Sequence, residues 1–244
     1  MRIKLINPNT TMSMTEAMTA CARQVAAPGT EITGVSPQMG PASIESHYDE
    51  ALAVPGLLQE IEQGEREGVD AYVIACFGDP GLSAARELAR GPVIGIAEAA
   101  MHMASLVAPS FSVVTTLART SGMAWHLAER YGMQRFCRNV RACEIAVLEL
   151  ENPASDARAR ITDECRRALA EDGAEAIVLG CAGMADLCAA IGRDIGAPVI
   201  DGVTAAVKLA ESLVALGLGT AKGGEWARPL PKAYHGLLSG FARV

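Results

Sequence analysis

One segment of this chain occurs twice. YVIACFGDPG around Cys76 is echoed by IVLGCAGMAD around Cys181, and GPVIGIAEAAMHMA from Gly91 by APVIDGVTAAVKLA from Ala197. Upstream, KLINPNT and FSVVTTL are both apolar runs that end in small polar residues. The landmarks keep nearly one spacing: 108 residues from Asn7 to Thr115, 105 from Cys76 to Cys181 and 106 from Pro92 to Pro198. Agreement of three offsets is the mark of internal duplication. The 244 residues therefore divide into two related halves, one formed by 1–97 with 203–244 and the other by 98–202, the last helix returning to the first half.

Short apolar runs rich in Val and Ile alternate with longer Ala/Glu/Arg stretches, the rhythm of βαβ units around buried parallel sheets. Strands are expected at 3–6, 31–35, 71–75, 93–96, 111–115, 176–179 and 199–200. Helices are expected at 11–26, 47–67, 81–88, 97–107, 122–131, 156–171, 184–191 and 203–216. The fold class is α/β: two pseudo-symmetric flavodoxin-like halves, each a mainly parallel sheet flanked by helices. Ligands of such sheets bind beyond the carboxyl ends of the strands, so a cleft between the halves should carry the site.

Composition narrows the partners. With 28 acidic against 21 basic residues the net charge is −7, which attracts neither nucleic acid nor an anionic membrane and leaves a small molecule as the expected partner. The first apolar run breaks at Asn7-Pro8-Asn9, too early for the apolar part of a signal peptide. No uninterrupted run approaches the ~18 apolar residues of a membrane span. A cytoplasmic protein is expected. GxGxxG, GxxxxGK[ST] and GxSxG are all missing from the sequence, so neither a nucleotide cofactor nor a serine-hydrolase elbow is expected.

Seven cysteines, an odd number at irregular spacing in a long chain, are expected to be free thiols. Cys21 and Cys165 fall within helical patterns, Cys188 follows Cys181 on a helix, and Cys137 with Cys143 flanks a surface strand. None forms a CxxC or Cys/His cluster, so no metal is expected. Cys76 and Cys181 stand apart, because each ends a strand and precedes a glycine turn into a helix. A helix N-terminus favours the thiolate and should lower a thiol pKa that starts at about 8.5. Of the histidines, His102, His126 and His235 look packed or solvated, and His47, after the PASIES loop, is placed to approach the cleft.

Two thiols facing each other across a substrate can invert a carbon centre without a cofactor. One as thiolate removes a proton from one face, the other as thiol supplies one to the opposite face, and the roles exchange for the other enantiomer. The pair shares one proton, so its titration is coupled. Backbone N–H groups near Phe77, Gly78, Ala182 and Gly183 could hold the charge that develops on a neighbouring carbonyl oxygen.

LINPNT, PASIE at 41–45, ACFGDPGL, FSVVTT, LGCAGM and PVIDGV resemble the aspartate/glutamate/hydantoin racemase superfamily over nearly the whole chain to about Leu218, and its hydantoin racemase branch in particular. The resemblance implies two flavodoxin-like halves, cofactor-independent racemisation of a 5-substituted hydantoin, and a homo-oligomer, a tetramer or hexamer. It implies that Cys76 and Cys181 are the acid/base pair. Asn7, Ser43, Ile44, Phe77, Gly78, Thr115, Thr116, Gly180, Ala182 and Gly183 would bind substrate. The amino-acid racemases of the superfamily carry a polar pair after each cysteine, where this chain has Phe77-Gly78 and Ala182-Gly183, so a free amino acid is not the expected substrate. The motif wording is most similar to racemases of allantoin, a step in purine breakdown, and only 4% of residues are aromatic, against a large aromatic pocket. Racemases of amino-acid-derived hydantoins are the near alternative. A cysteine-dependent isomerase or decarboxylase and a non-catalytic small-molecule binding protein are the more distant ones.

Overall fold

A computed structural model describes residues 1–152 and 154–242; the ends of the first half at 243 and 244, and residue 153 of the second, lie outside the described residues. The first sheet comprises β1 (Arg2–Ile6), β2 (Glu31–Val35), β3 (Ala71–Ile74) and β4 (Val93–Gly95) in the order β2-β1-β3-β4. The second comprises β5 (Phe111–Thr115), β6 (Cys137–Ala142), β7 (Ala176–Leu179) and β8 (Val199–Ile200) in the order β6-β5-β7-β8. Every pairing is parallel, and the two orders are the same once β5 is matched to β1. The duplicated text therefore folds as a duplicated sheet.

The helices are α1 (Met12–Val25), α2 (His47–Glu67), α3 (Leu82–Leu88), α4 (Ile96–Val107), α5 (Ser121–Arg130), α6 (Ala157–Glu171), α7 (Cys188–Ile195) and α8 (Gly202–Ala215). Side chains alternate across each strand. Ile3, Leu5 and Val73 of the first sheet and Phe111, Val113 and Val178 of the second thus enter one core, filled by α1, α4 and α8. The other faces are covered separately, Ile6 and Ile74 by Leu57 and Ile61 of α2, Ile177 and Leu179 by Ile161 of α6 and Ile191 of α7. Helix α8 packs on β3 and β4 as well as on α1 and α4, and the segment after it lies on the first half, where Thr220 donates to the Gly91 carbonyl (2.6 Å) and Arg86 sits over the Trp226 ring.

Two elements differ from the sequence expectation. β6, expected only as a surface strand between Cys137 and Cys143, is an edge strand of the sheet, and its polar text CRNVRA follows from having one side unpaired. The helix expected at 184–191 is a 3-10 segment, Ala182–Leu187, followed by α7 from Cys188.

Arg141 anchors that edge strand. Its guanidinium donates to both Asp172 carboxylate oxygens (2.7 and 2.6 Å), to Glu164 (3.0 Å) and to Glu171 (2.8 Å), while Asn139 and Ser112 also donate to Asp172. Burial by itself would raise the Asp172 carboxyl, but these donors outweigh it and hold it below the ordinary range. A depressed carboxylate stabilises the fold above its unfolded pKa of about 3.9 and loses that contribution as pH falls. Asp172→Asn should cost about 2 kcal/mol at pH 7, within the range for hydrogen bonds to a charged group, with Glu164 and Glu171 still on Arg141. Urea melts from pH 7 to pH 3 should show the gap to wild type closing below about pH 4; a gap independent of pH would remove the ion pair as its cause.

Candidate active site

In each sheet the connections diverge on either side of the two central strands, β1 and β3 or β5 and β7. At such a switch point the loops beyond the carboxyl ends part and leave a crevice. β3 runs through Ala75 into Cys76 and β7 through Gly180 into Cys181, so the cysteines reach one cavity from opposite sheets. The two loops share a turn: the Asp79 N–H donates to the Cys76 carbonyl (3.0 Å) and the Met184 N–H to the Cys181 carbonyl (3.1 Å). In each loop the N–H two residues on, at Gly78 or Gly183, is directed at the cysteine sulfur.

The cavity is small, about 60 Å³. Of the residues expected from sequence, Asn7, Ile44, Phe77, Gly78, Thr115, Thr116, Gly180 and Ala182 line it together with Cys76 and Cys181. Ser43 lies in the loop beside Ile44 but off the wall, and Gly183 faces a neighbouring cleft behind Cys181. His47 is exposed on α2, 3.8 Å from Glu50, and does not reach the cavity. Sequence reasoning missed Asn9, Met14, Ala75, Thr120, Met123, Ala124 and Val147. Asn9 carried a signal, as the second Asn of the NPNT motif, and so did Ala75, the last residue of the expected strand before Cys76; the others arrive by loop and helix convergence.

Individual side chains have distinct tasks. The Asn7 amide donates to Asn9 (2.8 Å), Thr15 (3.0 Å) and the Thr11 carbonyl (3.4 Å), so it builds the turn after β1. Among the described residues the Asn9 amide has only the Met14 thioether as acceptor, at 3.7 Å, a weak partner. Thr115 donates to the Gly180 carbonyl (3.2 Å), and a Cβ at Gly180 would stand 2.8 Å from that of Thr115, which is why the β7 loop passes here with glycine. The Thr116 hydroxyl, at the wall, has no hydrogen-bond partner among the described residues, nor do the N–H groups of Phe77 and Ala182. Above the cavity the 41–46 loop crosses to the other half, where Glu45 accepts from the Val147 N–H (2.8 Å).

The thiols do not follow the helix-terminus expectation. Burial pushes Cys76 up to about 12 and Cys181 up to about 11, against partial relief from the Gly78 and Gly183 N–H groups. α3 begins only at Leu82, beyond the reach of its dipole, and the segment after Cys181 is a 3-10 turn with a weaker aligned dipole. The nearby carboxylates of Asp79 and Glu50 for Cys76, and of Glu45 for Cys181, act in the same upward direction. Among the described residues no Lys, Arg or His lines the cavity, and no group of three His, Cys, Asp or Glu side chains could hold a metal.

Comparison with known proteins places this geometry. The family model described as Asp/Glu/Hydantoin racemase matches residues 3–210. The chain belongs to that family. It is 50% identical to a hydantoin racemase of Pseudomonas sp. (strain NS671) over 243 residues, covering 100% of this chain and 98% of the relative. It is 52% identical to a hydantoin racemase of Rhizobium meliloti over 236 residues, 97% of this chain and 98% of the relative. Among solved structures, the allantoin racemase from Klebsiella pneumoniae superposes with a TM-score of 0.97 at 56% identity, covering 100% of this chain and 99% of that one. As a member of the racemase family this chain is an isomerase, and the two four-stranded parallel sheets are that family's α/β fold. Among the described residues no helix is long and apolar enough to cross a membrane.

Proposed function

We propose that this racemase interconverts the enantiomers of a 5-substituted hydantoin, allantoin foremost, by proton transfer between C5 and the pair Cys76 and Cys181. The observation that carries the reading is the pair itself: two cysteines at the same station of two related sheets, both lining one cavity. In the proposed step the thiolate of one cysteine takes the C5 proton, and the electron pair moves onto the adjacent ring carbonyl as an enolate. The other cysteine, as thiol, delivers a proton to the opposite face and becomes the thiolate. The enzyme emerges with the two protonation states exchanged, ready for the other enantiomer. The unpaired N–H groups of Phe77 and Ala182 suit the enolate oxygen, since fixed donors cost no reorganisation as charge develops.

The wall fits a neutral ring. An amino acid would bring a carboxylate into a cavity with no cation, beside Glu45 and Glu50, whereas a hydantoin brings carbonyls and N–H groups that match Asn9, Thr116 and backbone donors. The small volume favours the ureido substituent of allantoin over an aromatic one. Ser43 would reach the substrate from the 41–46 loop, and Gly183 would serve through its N–H toward Cys181. The lobes are taken as 1–97 with 203–244, and 98–202. Exposed Leu230, Leu237 and Tyr48 fit further burial in a homo-oligomer.

The test follows optical rotation of single enantiomers of allantoin and of 5-benzylhydantoin, with loss of the C5 proton to deuterated solvent read by NMR. Higher kcat/KM for allantoin supports the reading; faster turnover of the benzyl compound overturns the choice of allantoin, and binding without C5 exchange overturns the racemase. Asn9→Ala should lower kcat/KM on allantoin about 10-fold through KM, the worth of one hydrogen bond to substrate; an unchanged KM would take Asn9 out of substrate binding.

A further inference from the structure

The two cysteine loops share the turn hydrogen bond to the cysteine carbonyl and differ in what holds that turn. In the Cys181 loop the residue that closes the turn is Met184, fully buried among Leu179, Ile191 and their neighbours. In the Cys76 loop it is Asp79, 2% exposed, in the left-handed region at φ 44° although it carries a side chain. Such a conformation is strained for a residue with a side chain and persists where surrounding bonds enforce it.

Those bonds are in place. One carboxylate oxygen of Asp79 accepts from the Ala97 N–H (3.0 Å), and the other from the Glu98 N–H (2.9 Å) and the Tyr131 hydroxyl (2.7 Å). The first two donors are free N–H groups at the start of α4, and Tyr131 belongs to the second half, at the end of α5. The preceding residue, Arg130, repeats the crossing with a bond to Ser83 of α3 (2.7 Å). Space was kept for the carboxylate: a Cβ on Gly95 would fall 2.3 Å from the Asp79 Cγ. Burial raises this carboxyl to about 6 against the three donors, so near neutral pH it is the acceptor the geometry requires.

We infer that Asp79 is a positioning residue for Cys76, tying the turn that presents this one thiol to the α4 N-terminus and, through Tyr131, to the half that carries Cys181. The inference deepens the two-cysteine reading and rests on it for its catalytic consequence. Its structural content, control of one thiol and not the other, stands independently. Because Met184 has no polar side chain, the second loop has no corresponding strap.

The test uses the full-length protein, Asp79→Asn and Tyr131→Phe, with iodoacetamide alkylation of Cys76 and Cys181 followed separately by peptide mass spectrometry. Tyr131→Phe keeps the Asp79 charge and removes only the tie, so it separates position from electrostatics and also serves if Asp79→Asn fails to fold. The expected result is that alkylation of Cys76 accelerates at least fivefold in Asp79→Asn and twofold in Tyr131→Phe, with Cys181 within twofold of wild type in both. For racemisation, kcat should fall at least tenfold and threefold respectively while KM stays within threefold. Changes shared by both thiols, changes in neither, or a response to Asp79→Asn alone would overturn the inference. A wild type that racemises no hydantoin, with the alkylation pattern as expected, would overturn the functional reading and leave the strap supported.

Discussion

Cys76→Ser and Cys181→Ser should each lower racemisation of allantoin by about 10³-fold, within the range lost with a general acid or base. A serine hydroxyl in place of either thiol is too weak a base to take the C5 proton and too weak an acid to return it at a useful rate. The intact cysteine still faces the ring, so each variant should retain exchange of the C5 hydrogen with solvent for one enantiomer, and the two variants for opposite enantiomers. Deuterium incorporation into separate R and S samples, read by NMR before any optical rotation is lost, measures this. Full racemisation by either variant, or exchange of the same enantiomer by both, would remove the two-base mechanism. The structural basis is the entry of the two sulfurs from separate sheets, one after β3 and one after β7.

The second large effect is on pH. Burial lifts Cys76 to about 12 and Cys181 to about 11, so in the free enzyme at neutral pH both are thiols. The reactive form has one proton on the pair. Since the raised pKa values make the thiolate scarce, its population should grow tenfold for each pH unit until the first apparent pKa is approached. The expected result is a kcat/KM for allantoin that rises about 100-fold from pH 7 to pH 9, because kcat/KM reports the ionisation of free enzyme. The measurement is initial rates by polarimetry between pH 6 and pH 9.5. A plateau from pH 7 onward would mean that the Gly78 and Gly183 N–H groups outweigh burial, and would return the thiols to the lowered range that the sequence alone predicted.

That reversal shows where sequence reasoning stops. Strand ends, glycine turns and helix starts near Cys76 and Cys181 are local features, written in about ten residues each. Whether a helix dipole acts on a sulfur depends on where α3 begins, and Leu82 is too far along for it to reach Cys76. The same distinction separates the expected residues that line the cavity from the lining residues that sequence reasoning missed. Asn7, Phe77, Gly78, Thr115, Thr116, Gly180 and Ala182 follow directly from central strands, whereas Met14, Met123 and Val147 reach the wall from α1, α5 and a 3-10 segment. Gly183, read as lining, is turned away by the 3-10 turn that closes on Cys181.

The sequence by itself determined the duplication, the parallel α/β class, most strand positions and the pairing of Cys76 with Cys181, because a repeated strand-turn-helix unit is legible in local pattern and spacing. It also carried the family, through motifs that lie in the loops beyond the strands. Only the tertiary structure decided how buried the two thiols are, that Asp79 and Tyr131 tie one cysteine loop while Met184 packs the other, that the Asn9 amide meets only a thioether among the described residues, and that β6 closes the second sheet. Burial, hydrogen-bond saturation and edge pairing are each set by residues brought together from distant parts of the chain, and no local pattern records that sum.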